Sequence, residues 1–158
     1  MTRSATPSPI ALRHRRVAAL AVSLLALLLG GGAAASDGVD VRRDGSLWAR
    51  IEGDGTIRID GSIAGEVEED GSVRVDGRLA GSVEEDGTIR DDGRLAGSVE
   101  KDGWIRIDGR IFGRIEGDGT IRRDGALWGS ADPCCPGFRD VRRVAALLYF
   151  FGDGSFAR

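Results

Sequence analysis

Between residues 37 and 125, short runs of apolar and polar residues are separated by twelve Asp-Gly dipeptides. From Asp44 onward these dipeptides are spaced alternately by ten and six residues, so the pattern repeats every 16 residues. A representative copy is DGSVRVDGRLAGSVEE at 70–85. Asp-Gly between short apolar runs is typical of β-hairpins, and repetition at a fixed period indicates a repeat architecture. The pattern therefore predicts an all-β fold.

The requirement for one apolar face selects the register of each hairpin. A three-residue loop at 69–71 places Val67 opposite Val73 and keeps that face apolar. A three-residue loop at 75–77 places Val73 opposite Leu79. Each repeat is then expected to form a small three-stranded meander, with one row of apolar side chains across it.

Such a meander is only marginally stable alone, because three buried aliphatic side chains do not offset the ordering of 16 residues. We expect a radial array of these meanders around one shared core. It would contain five complete blades, and a sixth if both ends of the chain close the ring. A glycine recurs inside the longer strand, as at Gly81, where it would leave room at the crowded centre. A β-solenoid of 16-residue coils is the alternative.

The repeat resembles that of the 5-fold beta-flower family, small bacterial proteins whose units read like GxIxDxxGxxIGxI. The resemblance extends from about Val39 to Asp132. In the second copy, the matching residues are Ile57, Gly61, Ile63, Gly65 and Val67. The chain departs from the family pattern at Arg58 and its equivalents, which stand where the family has an aromatic residue. The resemblance implies a radial β architecture and no established activity.

Residues 1–36 have the features of a secretory signal peptide. Arg13, Arg15 and Arg16 precede the apolar stretch 17–29, and small residues follow it. This segment predicts a secreted or periplasmic protein, with an uncleaved anchor as the alternative. Thirteen apolar residues are fewer than the roughly 20 that a membrane span needs, so no transmembrane segment is expected in the mature chain.

The remaining chain divides into three parts. The β-repeat domain is expected at 37–133, a Cys/Pro joint at 134–138, and a helical tail at 139–158 that docks on the repeats. The tail is rich in Ala and Leu, and Gly152 is expected to end its helix. In the joint, Cys134 and Cys135 are adjacent and could form a disulfide in an oxidising compartment.

Charge and composition exclude several functions. Without the signal peptide the chain loses four Arg and no acidic residue, so its net charge changes from −3 to −7. Such an acidic domain is unsuited to nucleic acid. The only histidine, His14, lies in the signal peptide, which excludes a His-based catalytic triad or metal ligand. The Asp residues are in separate turns rather than converging on one calcium site. We therefore expect no cofactor, no metal and no enzymatic activity.

Each repeat also carries an Arg, followed ten residues later by an acid. The arginines are Arg42, Arg58, Arg74, Arg90, Arg106 and Arg122, and the acids are Glu52, Glu68, Glu84, Glu100, Glu116 and Asp132. In the chosen register Glu68 is diagonal to Arg74, which favours cross-strand ion pairs. A ring of arginines that binds an anion is the alternative.

Large aromatic residues replace Ala at one outward position in three of the six copies. Together with Trp104, also predicted to face outward, the aromatic set is Trp48, Trp104, Phe112 and Trp128. If the ring closes, these residues gather in one sector, where they could stack sugars or receive the C-terminal tail. The sequence thus predicts a non-catalytic structural or protein-interaction role. Its alternative is a carbohydrate-binding module, with an unknown protein or a glycan as partner.

Overall fold

The computed structural model describes residues 38–152, so the predicted signal peptide and the last six residues of the predicted tail lie outside the described range. The described chain forms twelve β-strands followed by one C-terminal helix. The strands are β1 (Val39–Arg43), β2 (Ser46–Ile51), β3 (Thr56–Ile59), β4 (Ser62–Val67), β5 (Ser72–Val75), β6 (Arg78–Val83), β7 (Thr88–Asp91), β8 (Arg94–Val99), β9 (Trp104–Ile107), β10 (Arg110–Ile115), β11 (Thr120–Arg123) and β12 (Ala126–Asp132).

The strands form one closed antiparallel barrel. Each strand pairs with the next along the chain, and β1 pairs with both β2 and β12. The two ends of the repeat region therefore close the ring, which the sequence left open, and antiparallel pairing excludes the solenoid of parallel coils. The predicted division into three-stranded blades is not confirmed, because the twelve strands form one uninterrupted ladder.

The turns between successive repeats have the predicted register. Val67 pairs with Val73, and the Glu68 backbone N–H donates to the Ser72 carbonyl at 2.8 Å. Gly71 has a φ of 91°, a conformation that glycine adopts without steric penalty. Five turns of this kind lie at one end of the barrel, which we call the wide-turn end. They occupy 52–55, 68–71, 84–87, 100–103 and 116–119.

The turns within each repeat are shorter than predicted. Val75 pairs with Arg78, so the loop contains only Asp76 and Gly77, with φ values of 50° and 74°. Two successive positive φ values define the type I′ hairpin that Asp-Gly favours. The predicted three-residue loop at 75–77 is therefore wrong. The six equivalent turns lie at the opposite end of the barrel, which we call the hairpin end.

A β-bulge accounts for this difference. The register shifts between Val73 and Arg74, so that Val73 pairs with Gly81 and Arg74 with Leu79, leaving Ala80 as the extra residue. The extra residue lets a two-residue turn follow while Val73 stays in the core. It also places Leu79 on the outer face, where 63% of its surface is exposed. The predicted inward row from Val67 through Val73 to Leu79 is therefore wrong at its third member.

The inner wall of the barrel supplies most of the core. Its aliphatic side chains are almost fully buried at equivalent places in every repeat. They are Val41, Ala49, Ile51, Ile57, Val67, Val73, Val83, Ile89, Val99, Ile105, Ile115, Ile121 and Ala131. A ring of twelve strands encloses a lumen wider than these side chains can fill alone.

The C-terminal helix occupies that lumen. Helix α1 (Phe138–Ala146) continues directly into a π-helical turn at Leu147–Phe151, and both segments belong to the same hydrophobic cluster as the inner wall. Five successive residues, from Val144 to Leu148, are at most 1% exposed. A helix buried on all faces must be surrounded by other elements, and within a closed barrel the lumen provides such a place.

Contacts at both ends give the direction of the helix. At the wide-turn end, Arg142 donates to the Val83 carbonyl at 3.2 Å. Toward the hairpin end, the Tyr149 hydroxyl lies 3.2 Å from a carboxylate oxygen of Asp91. The predicted helix is confirmed, and the backbone becomes extended at Gly152 as expected. Within residues 38–152, no helix has the length and apolar character needed to cross a membrane.

Candidate functional site

The two tryptophans at the seam of the ring are in contact. Trp48 on β2 and Trp128 on β12 are separated in sequence by most of the barrel, but β1 pairs with both strands. Their ring centroids are 5.4 Å apart in an edge-to-face arrangement, a favourable geometry for aromatic pairs. Closure of the ring therefore brings together two of the four predicted site residues.

Three of the four aromatics pack against the hydrophobic core rather than lying on the outer face. Trp48, Phe112 and Trp128 are partly buried against the core cluster. Arg43 lies 5.4 Å from the centre of the Trp128 ring, and Arg43 pairs with Gly129, whose other neighbour is the buried Ile121. Paired residues share a face of a sheet, so the Arg43–Trp128 contact lies on the inner side. The predicted outward direction of these three rings is wrong.

The bulges explain this placement, because each aromatic stands at the extra residue of a bulge. In copies two, three and four the extra residue is Ala64, Ala80 or Ala96. There the tail supplies the rings: Phe150 lies beside Gly81, and Phe151 beside Gly65. The barrel wall therefore provides the aromatic rings on one side of the lumen, and the C-terminal tail provides them on the other.

Trp104 belongs to a different environment. It pairs across the sheet with Arg114, whose guanidinium lies 4.9 Å from the centre of the indole ring. The two side chains border a surface groove of about 280 Å³, and Trp104 is not among the residues packed on the core. The predicted cluster of four aromatics is thus divided: three rings contribute to the core, and one lines an outer groove.

The recurring Arg and Glu residues form the predicted ion pairs on the outer face. Five Arg Nε atoms lie 2.6–2.9 Å from a Glu carboxylate. The pairs are Arg58–Glu52, Arg74–Glu68, Arg90–Glu84, Arg106–Glu100 and Arg122–Glu116. Hydrogen bonding to Glu68, with its negative charge, raises the pKa of Arg74 above its usual value. Partly exposed pairs of this kind contribute little to stability, but each one neutralises its arginine.

The aspartates of the wide turns are also engaged. A side-chain oxygen of Asp70 accepts a hydrogen bond from the Ser72 backbone N–H at 2.8 Å. This bond lowers the pKa of the Asp70 carboxyl below its ordinary value, because it stabilises the charged form. The same bond and the same direction recur at Asp54, Asp86 and Asp118. Across residues 38–152, no group of three or more His, Cys, Asp or Glu side chains is arranged to hold a metal ion.

The cysteines of the joint are bonded to each other. Cys134 and Cys135 form a disulfide between adjacent residues, and both side chains pack against the core cluster. Cys134 also lies close to Gly119 in the last wide turn. The joint therefore packs on the barrel before the chain enters α1, and the cysteines have a structural position.

Six exposed aliphatic side chains form a feature that the sequence did not predict. Each lies two positions after the glycine of a two-residue hairpin and is 50–71% exposed on the outer face. We call this set the aliphatic belt: Leu47, Ile63, Leu79, Leu95, Ile111 and Leu127. The signal was present in the sequence, since this position is always Leu or Ile, but the assumed three-residue loop assigned it to the core.

No match to this chain was found in comparisons with protein-family models, curated proteins and solved structures.

Proposed function

We propose that this chain is a non-catalytic structural module that associates with further copies of itself through the aliphatic belt. The proposal rests on one observation: the same position in all six repeats holds a Leu or Ile whose surface is at least half exposed. The preceding residue varies among Ser, Arg and Ala. Burying an aliphatic side chain of this size is worth about 1.5–3 kcal/mol, so a lateral contact would be favourable.

Another copy of the chain is the occupant that best fits the belt. Because the belt is the same on every side of the barrel, two copies can place identical apolar groups against each other, as like subunits do. The neighbouring Arg–Glu pairs supply both signs of charge to such a contact. A lipid surface fits less well, since exposed aspartates such as Asp76 and Asp92 form the hairpin tips beyond the belt. Burying these carboxylates in lipid would be costly.

The residues with potential chemistry are occupied in ways that favour a structural role. The recurring Glu side chains bind Arg, and the wide-turn Asp side chains bind backbone N–H groups. The Cys134–Cys135 bond favours an oxidising compartment, which supports the proposal of a secreted or periplasmic protein. The resemblance to the beta-flower family stays a prediction. A sugar platform at the seam has lost its main support, because three of its four rings pack on the core.

Replacing Leu79 and Leu95 together with serine should weaken self-association, because it removes two of the six belt side chains. We expect the unaltered protein to show concentration-dependent association in sedimentation velocity, and the double variant to need a higher concentration to associate to the same extent. Both side chains are more than 60% exposed, so the melting temperature should change little. The matched control is Ser82→Ala with Ser98→Ala, also on the outer wall, which should associate like the unaltered protein. A monomeric unaltered protein at all concentrations, or equal association of both variants, would refute the proposal.

A further inference from the structure

One cross-strand pair on the outer wall differs from its five counterparts. In the fifth copy Trp104 pairs with Arg114. The pairs at this place in the other copies are Asp40–Arg50, Thr56–Glu66, Ser72–Ser82, Thr88–Ser98 and Thr120–Ser130. The barrel therefore forms with small hydroxyl residues at both positions, and its fold does not require a tryptophan or an arginine there.

The first copy shows how an arginine at this place is normally neutralised. Arg50 donates to the Asp40 carboxylate at 2.7 Å. In the fifth copy tryptophan replaces that acid, and among residues 38–152 no carboxylate forms an ion pair with Arg114. The Arg114 Nε–H instead donates to the Asp102 carbonyl at 3.3 Å, and the guanidinium stacks on the Trp104 ring. The cation is therefore held in place without neutralisation.

A second arginine beside Arg114 is already neutralised. Arg122 lies directly opposite Arg114 on the next strand. The Arg122 Nε donates to Glu116 at 2.9 Å, so that pair is close to neutral. The excess charge therefore lies on Arg114, on a chain whose net charge is otherwise negative.

The groove beside this pair has the size and lining of a small binding site. Its volume is about 280 Å³, near the lower limit for small-molecule sites. It is lined by the Trp104 indole ring, the half-exposed Ile111, Gly113 and Gly125, the guanidinium groups of Arg114 and Arg122, and the carboxylates of Glu116 and Asp124. Both carboxylates are paired with arginines other than Arg114: Glu116 bonds to Arg122, and Asp124 lies 3.5 Å from the Arg123 guanidinium. The groove thus combines a flat apolar surface with a charge that suits an anion.

We infer that this groove binds an acidic saccharide. A sugar ring offers an apolar C–H face for Trp104 and Ile111, and its carboxylate can accept charge-assisted hydrogen bonds from Arg114. Sugar hydroxyls can bond to Glu116 and Arg122, which carry both donors and acceptors. A neutral sugar would leave the Arg114 charge without a partner, and a simple anion would not use the indole ring. A ligand with both features matches the lining best.

The repeats supply substitutions that should not disturb folding. Trp104→Thr and Arg114→Ser each restore a residue that stands at the same place in other copies. We would titrate the full chain with a tetramer of galacturonic acid in a calorimeter, and with its fully methyl-esterified counterpart as the uncharged control. We expect binding of the acid tetramer, at least tenfold weaker binding of the ester, and weaker acid binding at higher salt. Either substitution should weaken acid binding at least tenfold, a loss of about 1.4 kcal/mol.

A site transplanted into the fourth copy gives an independent test. Thr88 and Ser98 form the equivalent pair there, and the neighbouring Arg106–Glu100 ion pair matches Arg122–Glu116. Installing Thr88→Trp with Ser98→Arg should raise the stoichiometry from one tetramer per chain to two. The inference is overturned if the unaltered chain does not bind the acid tetramer, if the ester binds equally well, or if Trp104→Thr and Arg114→Ser leave affinity unchanged. None of these variants alters the aliphatic belt, so self-association serves as an independent readout.

Discussion

Replacing Leu148 with alanine should lower the free energy of unfolding by about 3 kcal/mol. The Leu148 side chain is fully buried in the lumen, among the aliphatic residues of the inner wall. The substitution removes three carbon atoms, the γ-carbon and its two methyl groups, and leaves a cavity, because hydrogen-bonded strands surround the site and cannot close around it. Chemical denaturation of the unaltered protein and the variant measures this difference, provided that both unfold with the same dependence of free energy on denaturant concentration.

Leu79→Ala is the matched control for this experiment. It makes the same chemical change at a side chain that is 63% exposed on the outer face. We expect it to change stability by no more than about 0.5 kcal/mol. Equal losses for the two variants would mean that the helix does not lie in the lumen.

Replacing Gly81 with alanine should destabilise the protein by about 1–3 kcal/mol. A Cβ atom at Gly81 would overlap the Arg90 carbonyl oxygen and lie only 2.8 Å from two ring carbons of Phe150. The carbonyl belongs to the neighbouring strand and cannot move without disturbing the ladder. The phenyl ring is packed on the core and has little freedom to withdraw.

Gly117→Ala provides the comparison for this second prediction. A Cβ at Gly117 would meet no atom within 4 Å, so the same substitution should leave the melting temperature almost unchanged. Thermal unfolding followed by circular dichroism distinguishes the two variants. If Gly81→Ala melts at the same temperature as Gly117→Ala, Gly81 does not face the Arg90 carbonyl and the Phe150 ring as closely as the structure shows.

The sequence predicted the all-β class and the C-terminal helix, because each depends on a local signal or on strict repetition, and it left closure of the ring open. It misassigned one turn in every repeat. Preference for an unbroken apolar row led to a three-residue loop, although Asp76-Gly77 is typical of a two-residue type I′ hairpin. The bulge at Ala80 reconciles that hairpin with an inward Val73. No strand pattern alone indicates such an extra residue.

The same error affected the candidate site. Without the bulge, Trp48 and Trp128 were assigned to the outer face and the aliphatic belt to the core. The best clue to the position of the helix was Asp91, an acid where Ile59 and Ile107 stand in other copies. Its partner Tyr149 belongs to the tail, and a contact between residues so distant in sequence depends on tertiary packing. The Trp104–Arg114 pair is not evident from the sequence, because the assumed three-residue loop shifts the register and places a different residue opposite Trp104.

The central claim is that the C-terminal helix is the core of the closed barrel. The most direct measurement is a nuclear Overhauser spectrum that looks for contacts between the Phe150 ring protons and the α-protons of Gly81. The structure predicts strong cross-peaks, since the ring carbons lie 2.8 Å from the place where a Gly81 Cβ would be. The account would be contradicted if these cross-peaks were absent and if the helix resonances of the full chain matched those of a separate peptide of residues 138–152.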